Sequence, residues 1–257
     1  MGKSVAVVTG GASGIGAACA RRLAADGFLV VVADLSEEAG VAIAEEIGGA
    51  FEPLDVSDVD MVEAAVQRIA QTHGAVAVLV NSAGIIQPPL TPSDLPMERW
   101  DAVLNVNLRG TYVACRAFAR QMIQAGGGSI VNIASITGMR SMPLHAYGPS
   151  KAAVISMTES LAVEWGRQGV RVNAVSPGYT LTPAIAAAID RGERDPARLE
   201  AVSALGRMVD PSEVAGAVRF LCSPDASAIT AANIVVDCGA VAGISWGPYG
   251  GPTRSGS

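Results

Sequence analysis

Short runs of β-branched and other apolar residues alternate along this chain with longer, alanine-rich stretches of helical spacing, and few folds accommodate that order. The first run, Val5-Ala6-Val7-Val8, lies within residues 4–9 and is followed by a helical stretch at 17–25, a strand at 29–33 and a helix at 39–47. That is β-α-β-α order. Further strands are expected at 51–54, 76–80, 129–133, 170–175 and 233–236. Strands this apolar have no face to give to water, so with helices between them they predict an α/β fold: a parallel sheet covered by helices on both faces.

A helix is expected from Asp58 to Thr72, opened by an Asp or Ser cap. One or two long helices are expected over 96–124, carrying Trp100, Leu104, Leu108 and Val113 inward. Residues 179–207 are the least regular, with Pro183, an alanine run and a charged stretch at 190–195. They read as a small, mobile helical flap over a binding site. The Gly-, Pro- and Ser-rich tail at 247–257 reads as irregular or docked on a neighbouring subunit.

Half of the 257 residues are apolar, enough for one core, so residues 1–257 are expected to form a single domain. The formal net charge of -6 argues against a nucleic-acid groove or an anionic membrane surface and for a small-molecule partner. The apolar runs are strand-sized, which excludes a membrane span. The strand at 4–9 leaves no room for a secretory leader, so a cytoplasmic protein is expected. Cys19, Cys115, Cys222 and Cys238 are scattered, and His73 and His145 form no ligand pair. Neither a metal site nor a disulfide framework is expected.

Directly after the first strand comes Thr9-Gly10-Gly11-Ala12-Ser13-Gly14-Ile15-Gly16, and then a helix. A tight strand-to-helix turn needs unusual backbone angles, and bare glycines let a pyrophosphate reach the free N–H groups at the helix start. The second strand ends at Ala33-Asp34, about 20 residues on, where a dinucleotide fold reads the adenosine ribose. A carboxylate accepts from both ribose hydroxyls and repels a 2′-phosphate. Neither Leu35 nor Ser13 supplies a positive charge, so NAD is expected over NADP.

These residues resemble the short-chain dehydrogenase/reductase family, and the resemblance runs over essentially the whole chain. Residues 9–16 look like its TGxxxGIG turn, Asp55-Val56 like its adenine-side pair, and Asn81-Ser82-Ala83-Gly84 like its NNAG stretch with Ser for the second Asn. Asn107, Ser135 and Tyr147-Gly-Pro-Ser-Lys151 look like its catalytic Asn, Ser and YxxxK. Pro177-Gly178 with Thr180 and Thr182 resembles its nicotinamide-side motif. Asp237-Cys238-Gly239 departs from the frequent Asp-Gly-Gly. The resemblance implies a Rossmann-type doubly wound fold, a homotetramer and no metal.

It also implies a cofactor site built from Gly10, Ser13, Gly14, Ile15, Gly16, Asp34, Leu35, Asp55, Val56, Asn81, Ala83, Gly84, Tyr147, Lys151, Pro177, Gly178, Thr180 and Thr182. Oxidising an alcohol needs a base beside the hydride acceptor. Tyr147 is the candidate, and Lys151, one helical turn later, is placed to favour its phenolate and to hold the nicotinamide ribose. Ser135 would orient the substrate oxygen. Asn107 is an indifferent helix former whose family role is to hold a proton-relaying water. Substrate choice is expected from Ile136, Met142, His145 and Tyr179, with Met139, Ile185 and residues 85–87 nearby.

The expected activity is hydride transfer between NAD and a secondary alcohol, polyol or sugar, or the corresponding ketone. An NADPH-dependent 3-ketoacyl reductase is the alternative that Asp34 disfavours. A non-catalytic NAD-binding scaffold would be expected to lack Tyr147 or Lys151, and both are present.

Overall fold

The computed structural model describes residues 3–249. Its strands are β1 Val5–Thr9, β2 Leu29–Asp34, β3 Ala50–Pro53, β4 Val76–Asn81, β5 Gly128–Ile133, β6 Val170–Pro177 and β7 Asn233–Val236. They form one sheet in the order β3-β2-β1-β4-β5-β6-β7, and every pairing is parallel. Strand order reverses between β1 and β4, so the carboxyl ends of those two strands open the crevice in which such sheets bind ligands.

The helices are α1 Gly14–Ala25, α2 Glu37–Ile47, α3 Val59–His73, α4 Met97–Leu104, α5 Thr111–Gln124, α6 Tyr147–Gly166, α7 Pro183–Asp190, α8 Pro196–Ala201 and α9 Pro211–Cys222. Successive strand residues point to opposite faces and so feed two cores. Val5 and Val7 pack with Val62, Ile69, Phe118, Met122 and Leu161 under α3, α5 and α6. Ala6 and Val8 pack with Leu23, Ile43, Val214, Val218 and Leu221 under α1, α2 and α9. Among the described residues no helix is long and apolar enough to cross a membrane. Asp58 caps α3 as expected, its carboxylate accepting from Met61 N at 3.0 Å.

The stretch expected as one or two helices is continuous from Met97 to Gln124 but contains a π-helical turn, Asn105–Gly110, between α4 and α5. That turn corrects the expected inward face. Val103 and Asn107 are fully buried, whereas Trp100, Leu104 and Leu108 are only half-buried; Val113 is inside as expected. A wider turn slips the phase of a 3.6-residue pattern, and here the slip carries a polar side chain into the interior.

The expected flap contains α7 and α8, and its ends are tied down. Thr180 bridges to Val209, with Val209 N donating to Tyr179 O at 2.8 Å and Leu181 N to Val209 O at 2.9 Å. Beyond α8, Ser203 Oγ and Leu205 N both donate to Cys238 O. The expected irregular tail is a 3₁₀ segment as far as Tyr249, and residues 250–257 lie outside the described residues.

The departure at Cys238 has a backbone consequence. Cys238 adopts φ 53° and Ala231 φ 62°, so both turns flanking β7 pass through the left-handed region on residues that carry a Cβ. Such a conformation costs on the order of 1 kcal/mol relative to glycine. Cys238→Gly is expected to raise stability by about 1 kcal/mol, or roughly 2–4 °C in Tm. Thermal unfolding with and without the substitution checks this, and an unchanged or lowered Tm contradicts it.

Candidate active site

The glycine turn is built as its chemistry requires. Gly10 has φ 66°, and a Cβ there would lie 2.7 Å from the Ala83 backbone; one on Gly16 would lie 2.0 Å from Gly10 O. The turn is thus folded onto itself and onto the end of β4. Thr9 Oγ1 joins these strand ends by accepting from Ala83 N at 3.3 Å. Ser13 is the N-cap of α1 but makes no side-chain cap bond, and the first turn holds no acidic residue. That leaves a hydroxyl without a cap bond and unfilled backbone donors at the start of α1, a fit for a pyrophosphate.

Asp34 stands at the carboxyl end of β2, beside the glycine turn. Its Oδ2 accepts from Ala12 N and its Oδ1 from Ser36 N, each at 3.0 Å. The first bond holds the carboxylate to the glycine turn and the second to the start of α2, while Leu35 beside it is 70% exposed and brings no charge. Asp55 Oδ1 accepts from Ser57 N and Oγ, and Val56 is buried against Gly110. The Asn81 side chain turns into the core: Nδ2 donates to Asn132 Oδ1 at 2.8 Å and to Cys115 Sγ at 3.2 Å. Asn81 Oδ1 has no partner among the described residues. Thr182 caps α7 by accepting from Ile185 N, and its methyl group lies over Gly14. Thr180 Oγ1 donates to Gly178 O, and bare Gly178 lets Asp237 approach β6.

Ser135, Tyr147 and Lys151 converge at the carboxyl end of β5. Ser135 caps the 3₁₀ turn Ile136–Gly138, accepting from Thr137 N at 3.2 Å. That turn lies flat on α6, because a Cβ on Gly138 would sit 2.7 Å from Ala152 N. Lys151 is buried and its Nζ donates to Ile133 O at 2.7 Å. The ammonium lies 5.5 Å from the centre of the Tyr147 ring. Burial pulls Lys151 down from 10.5 to about 8. Burial also pushes the Tyr147 phenol above its ordinary 10, and a hydrogen bond with Ser135 opposes that only in part.

In the chain alone, burial therefore disfavours the charged form of both groups. At Tyr147 the loss on leaving water exceeds the gain from the Ser135 bond, and at Lys151 desolvation alone sets the direction. Asn107 reaches the same place from the π turn. Its Oδ1 accepts from Ile85 N at 2.8 Å, and its Nδ2 donates to Ile85 O at 2.9 Å and Ser150 Oγ at 3.2 Å. A Cβ on Gly84 would lie 3.2 Å from Asn107 Oδ1 and 3.6 Å from Lys151 Nζ, so this glycine keeps the space beside them open.

Met142, His145 and Tyr179 are half-buried near these groups in sequence, whereas Ile136 is 2% exposed and packed inward. A 530 Å³ groove between α1, α9 and the flap touches the glycine turn only at Gly14 and includes none of Ser135, Tyr147 and Lys151. Sequence reasoning did not foresee the bond of Gln87, whose Oε1 accepts from Tyr147 N at 3.1 Å. It placed residues 85–87 beside the substrate on position alone, and no local pattern signals a bond across 60 residues.

Comparison with known proteins bears on this geometry. Residues 10–241 match the family model described as enoyl-(acyl carrier protein) reductase. The chain is 41% identical over 243 residues to the D-threitol dehydrogenase of Mycolicibacterium smegmatis, covering 91% of this chain and 92% of that one. It is 39% identical over 249 residues to the 3-alpha-(or 20-beta)-hydroxysteroid dehydrogenase of Mycobacterium tuberculosis, covering 96% and 92%. A solved structure described as ribose-5-phosphate isomerase from Brucella melitensis 16M superposes with a TM-score of 0.96 at 48% identity, over 99% and 98% of the two chains. ElxO with NADP bound superposes with a TM-score of 0.88 at 29% identity, over 94% and 100%. A relationship spanning the glycine turn, the β4 end, the serine turn and the Tyr–Lys helix, within one uninterrupted parallel sheet, admits one assignment: this chain belongs to the short-chain dehydrogenase/reductase family, oxidoreductases that use a nicotinamide cofactor and act on CH–OH groups.

Proposed function

We propose that the chain is an NAD-dependent dehydrogenase of a secondary alcohol of the polyol or sugar type, working also on the corresponding ketone. The observation that carries the cofactor choice is the Asp34 carboxylate, held by Ala12 N and Ser36 N at the ribose end of the crevice. A 2′-phosphate brought there meets a fixed negative charge, a repulsion worth about 3 kcal/mol at a partly exposed site. The expected result is kcat/KM for NAD on the order of 100-fold above that for NADP, with the gap narrowed by Asp34→Ala. Preference for NADP would overturn the reading and restore the ketoacyl reductase alternative.

The cofactor, when bound, accepts or returns the hydride. The remaining work belongs to the chain. Ser135 directs its hydroxyl at the substrate oxygen, and Tyr147 takes or gives the proton there. Lys151, protonated near neutral pH and fixed by Ile133 O, holds positive charge beside the phenol and reaches the nicotinamide ribose. Asn107 fixes the loop across from them and holds the relay water. Met142, His145 and Tyr179 border the substrate.

The polyol choice draws on the D-threitol dehydrogenase relative. An NADH-formation screen over polyols, aldoses, cyclic alcohols and hydroxysteroids tests it, and turnover confined to steroids would refute it. We place the protein in the cytoplasm, where its four unpaired cysteines suit a reducing compartment. We also place it in a homotetramer, for which Tyr112 on α5, Val163 on α6, Phe220 on α9 and Val235 on β7 offer exposed apolar contacts. Light scattering at the mass of four chains is the expected result.

A further inference from the structure

We propose that Gln87 is a positioning residue for Tyr147, closing a ring of hydrogen bonds that fixes the backbone on which the phenol stands. The start of α6 shows why the bond is needed. The first N–H groups of a helix have no partner within it, and Ala146, the N-cap, offers no side-chain acceptor. Gly148 N donates to Leu144 O and Ser150 N to Ala146 O, while Pro149 has no N–H at all. Tyr147 N is the remaining donor of that turn, and Gln87 Oε1 accepts it at 3.1 Å from another loop.

The other side of Tyr147 is held too. Ser150 Oγ donates to Tyr147 O at 2.7 Å and accepts from Asn107 Nδ2 at 3.2 Å. Asn107 in turn binds both the N–H and the carbonyl of Ile85, two residues before Gln87. The guanidinium of Arg99 donates to Ile86 O between them. The ring therefore runs from Asn107 through residues 85–87 to Tyr147, Ser150 and back to Asn107.

Gln87 is an expensive residue to bury for packing alone. It is 1% exposed, and its Nε2 has no partner among the described residues. Methionine has nearly the same shape and leaves no amide donor unpaired. The amide's orientation is settled by its partner, since only an oxygen can accept from Tyr147 N–H. What the glutamine supplies and methionine cannot is that acceptor.

The proposal rests on the reading of Tyr147 as the proton-transfer group, and three variants test it. Gln87→Met removes the acceptor, Gln87→Asn draws the amide one methylene short of it, and Gln87→Glu keeps an acceptor in place. Amide hydrogen exchange at Tyr147 reads the bond without any turnover: it is expected to be slow in the wild type and Glu variant and at least about ten-fold faster in Met and Asn. Turnover should follow the same division, with kcat down about ten-fold or more in Met and Asn, KM for the cofactor little changed, and kcat recovered in Glu. The kcat pH profile should also shift in Met and Asn, which a general loosening of the fold would not produce. Folding of each variant is checked by circular dichroism, and Asn retains a polar side chain should Met misfold.

Fast exchange at Tyr147 in the wild type, or wild-type kcat in a folded Met variant, overturns the proposal. Equal impairment of Met, Asn and Glu also overturns it. Slow exchange in a wild-type chain that turns over no alcohol overturns the proton-transfer reading beneath it, and the exchange result tells that failure apart from the others.

Discussion

Tyr147→Phe is expected to lower kcat for alcohol oxidation by about a thousand-fold while leaving the fold and NADH binding intact. The substitution removes one oxygen. The ring remains, and apart from the Ser135 bond to the phenol the groups that fix this residue, Gln87 Oε1 and Ser150 Oγ, hold its main chain. A change in Tm beyond a few degrees is therefore not expected. The pH dependence follows from the same group: burial holds the phenol above 10, so the base form is scarce at neutral pH and grows with every step towards alkali. Oxidation should still be accelerating between pH 8 and 9, by up to about ten-fold, whereas ketone reduction, which needs the proton that the phenol keeps up to pH 10, should stay flat across that range. Stopped-flow measurement of the chemical step decides it, and substantial activity in the Phe variant removes Tyr147 from the reaction.

Lys151→Met is expected to act in opposite directions on activity and on stability. Losing the ammonium that flanks the phenol, and that is proposed to hold the ribose, should lower kcat by about a hundred-fold or more. The stability effect comes from the buried charge. Lys151 is 5% exposed and titrates at about 8 in the folded chain, against 10.5 in its ordinary state. Below pH 8 the folded protein bears the cost of a desolvated ammonium. Between 8 and 10.5 the unfolded chain retains the proton that the folded chain has released, so folding gains stability as pH rises, by roughly 3 kcal/mol over that window.

A thioether at this position does not titrate, so the variant has no such dependence. The wild type should gain on it by about that amount between pH 7 and 10.5 in urea denaturation. Tyr147 pulls the other way only above 10, and it does so in both proteins. A stability difference that stays flat with pH would show that the folded lysine is not desolvated.

How much of this was legible beforehand varies from residue to residue. The strands were readable because a sheet buried on both faces demands unbroken apolar runs, and the seven found begin or end within a residue or two of those expected. The glycine turn was readable because its steric demands exclude other residues. The π turn was not. It gives no signal in a 3.6-residue pattern beyond the misplaced Asn107, and it holds Asn107 inside while Leu108, expected inward, is only half-buried. Asn81 was expected at the cofactor because of its motif, yet its side chain is committed to Asn132 and Cys115, partners that lie on other elements. Cys238 was marked by its departure from a common triplet, but only the backbone angle shows what the departure costs.

The sequence by itself determined the βα order, the glycine turn, the acidic end of β2 and which titratable groups stand near the carboxyl end of β5. These are local demands of backbone sterics and residue chemistry, each satisfied within a few neighbouring positions. Tertiary structure alone decided how those groups stand to one another: the carbonyl of Ile133 under Lys151, the charged forms of Tyr147 and Lys151 both disfavoured by burial, and Gln87 as the acceptor for an N–H sixty residues away. Such properties depend on which distant segments share a desolvated space, and that is set when the sheet closes the crevice.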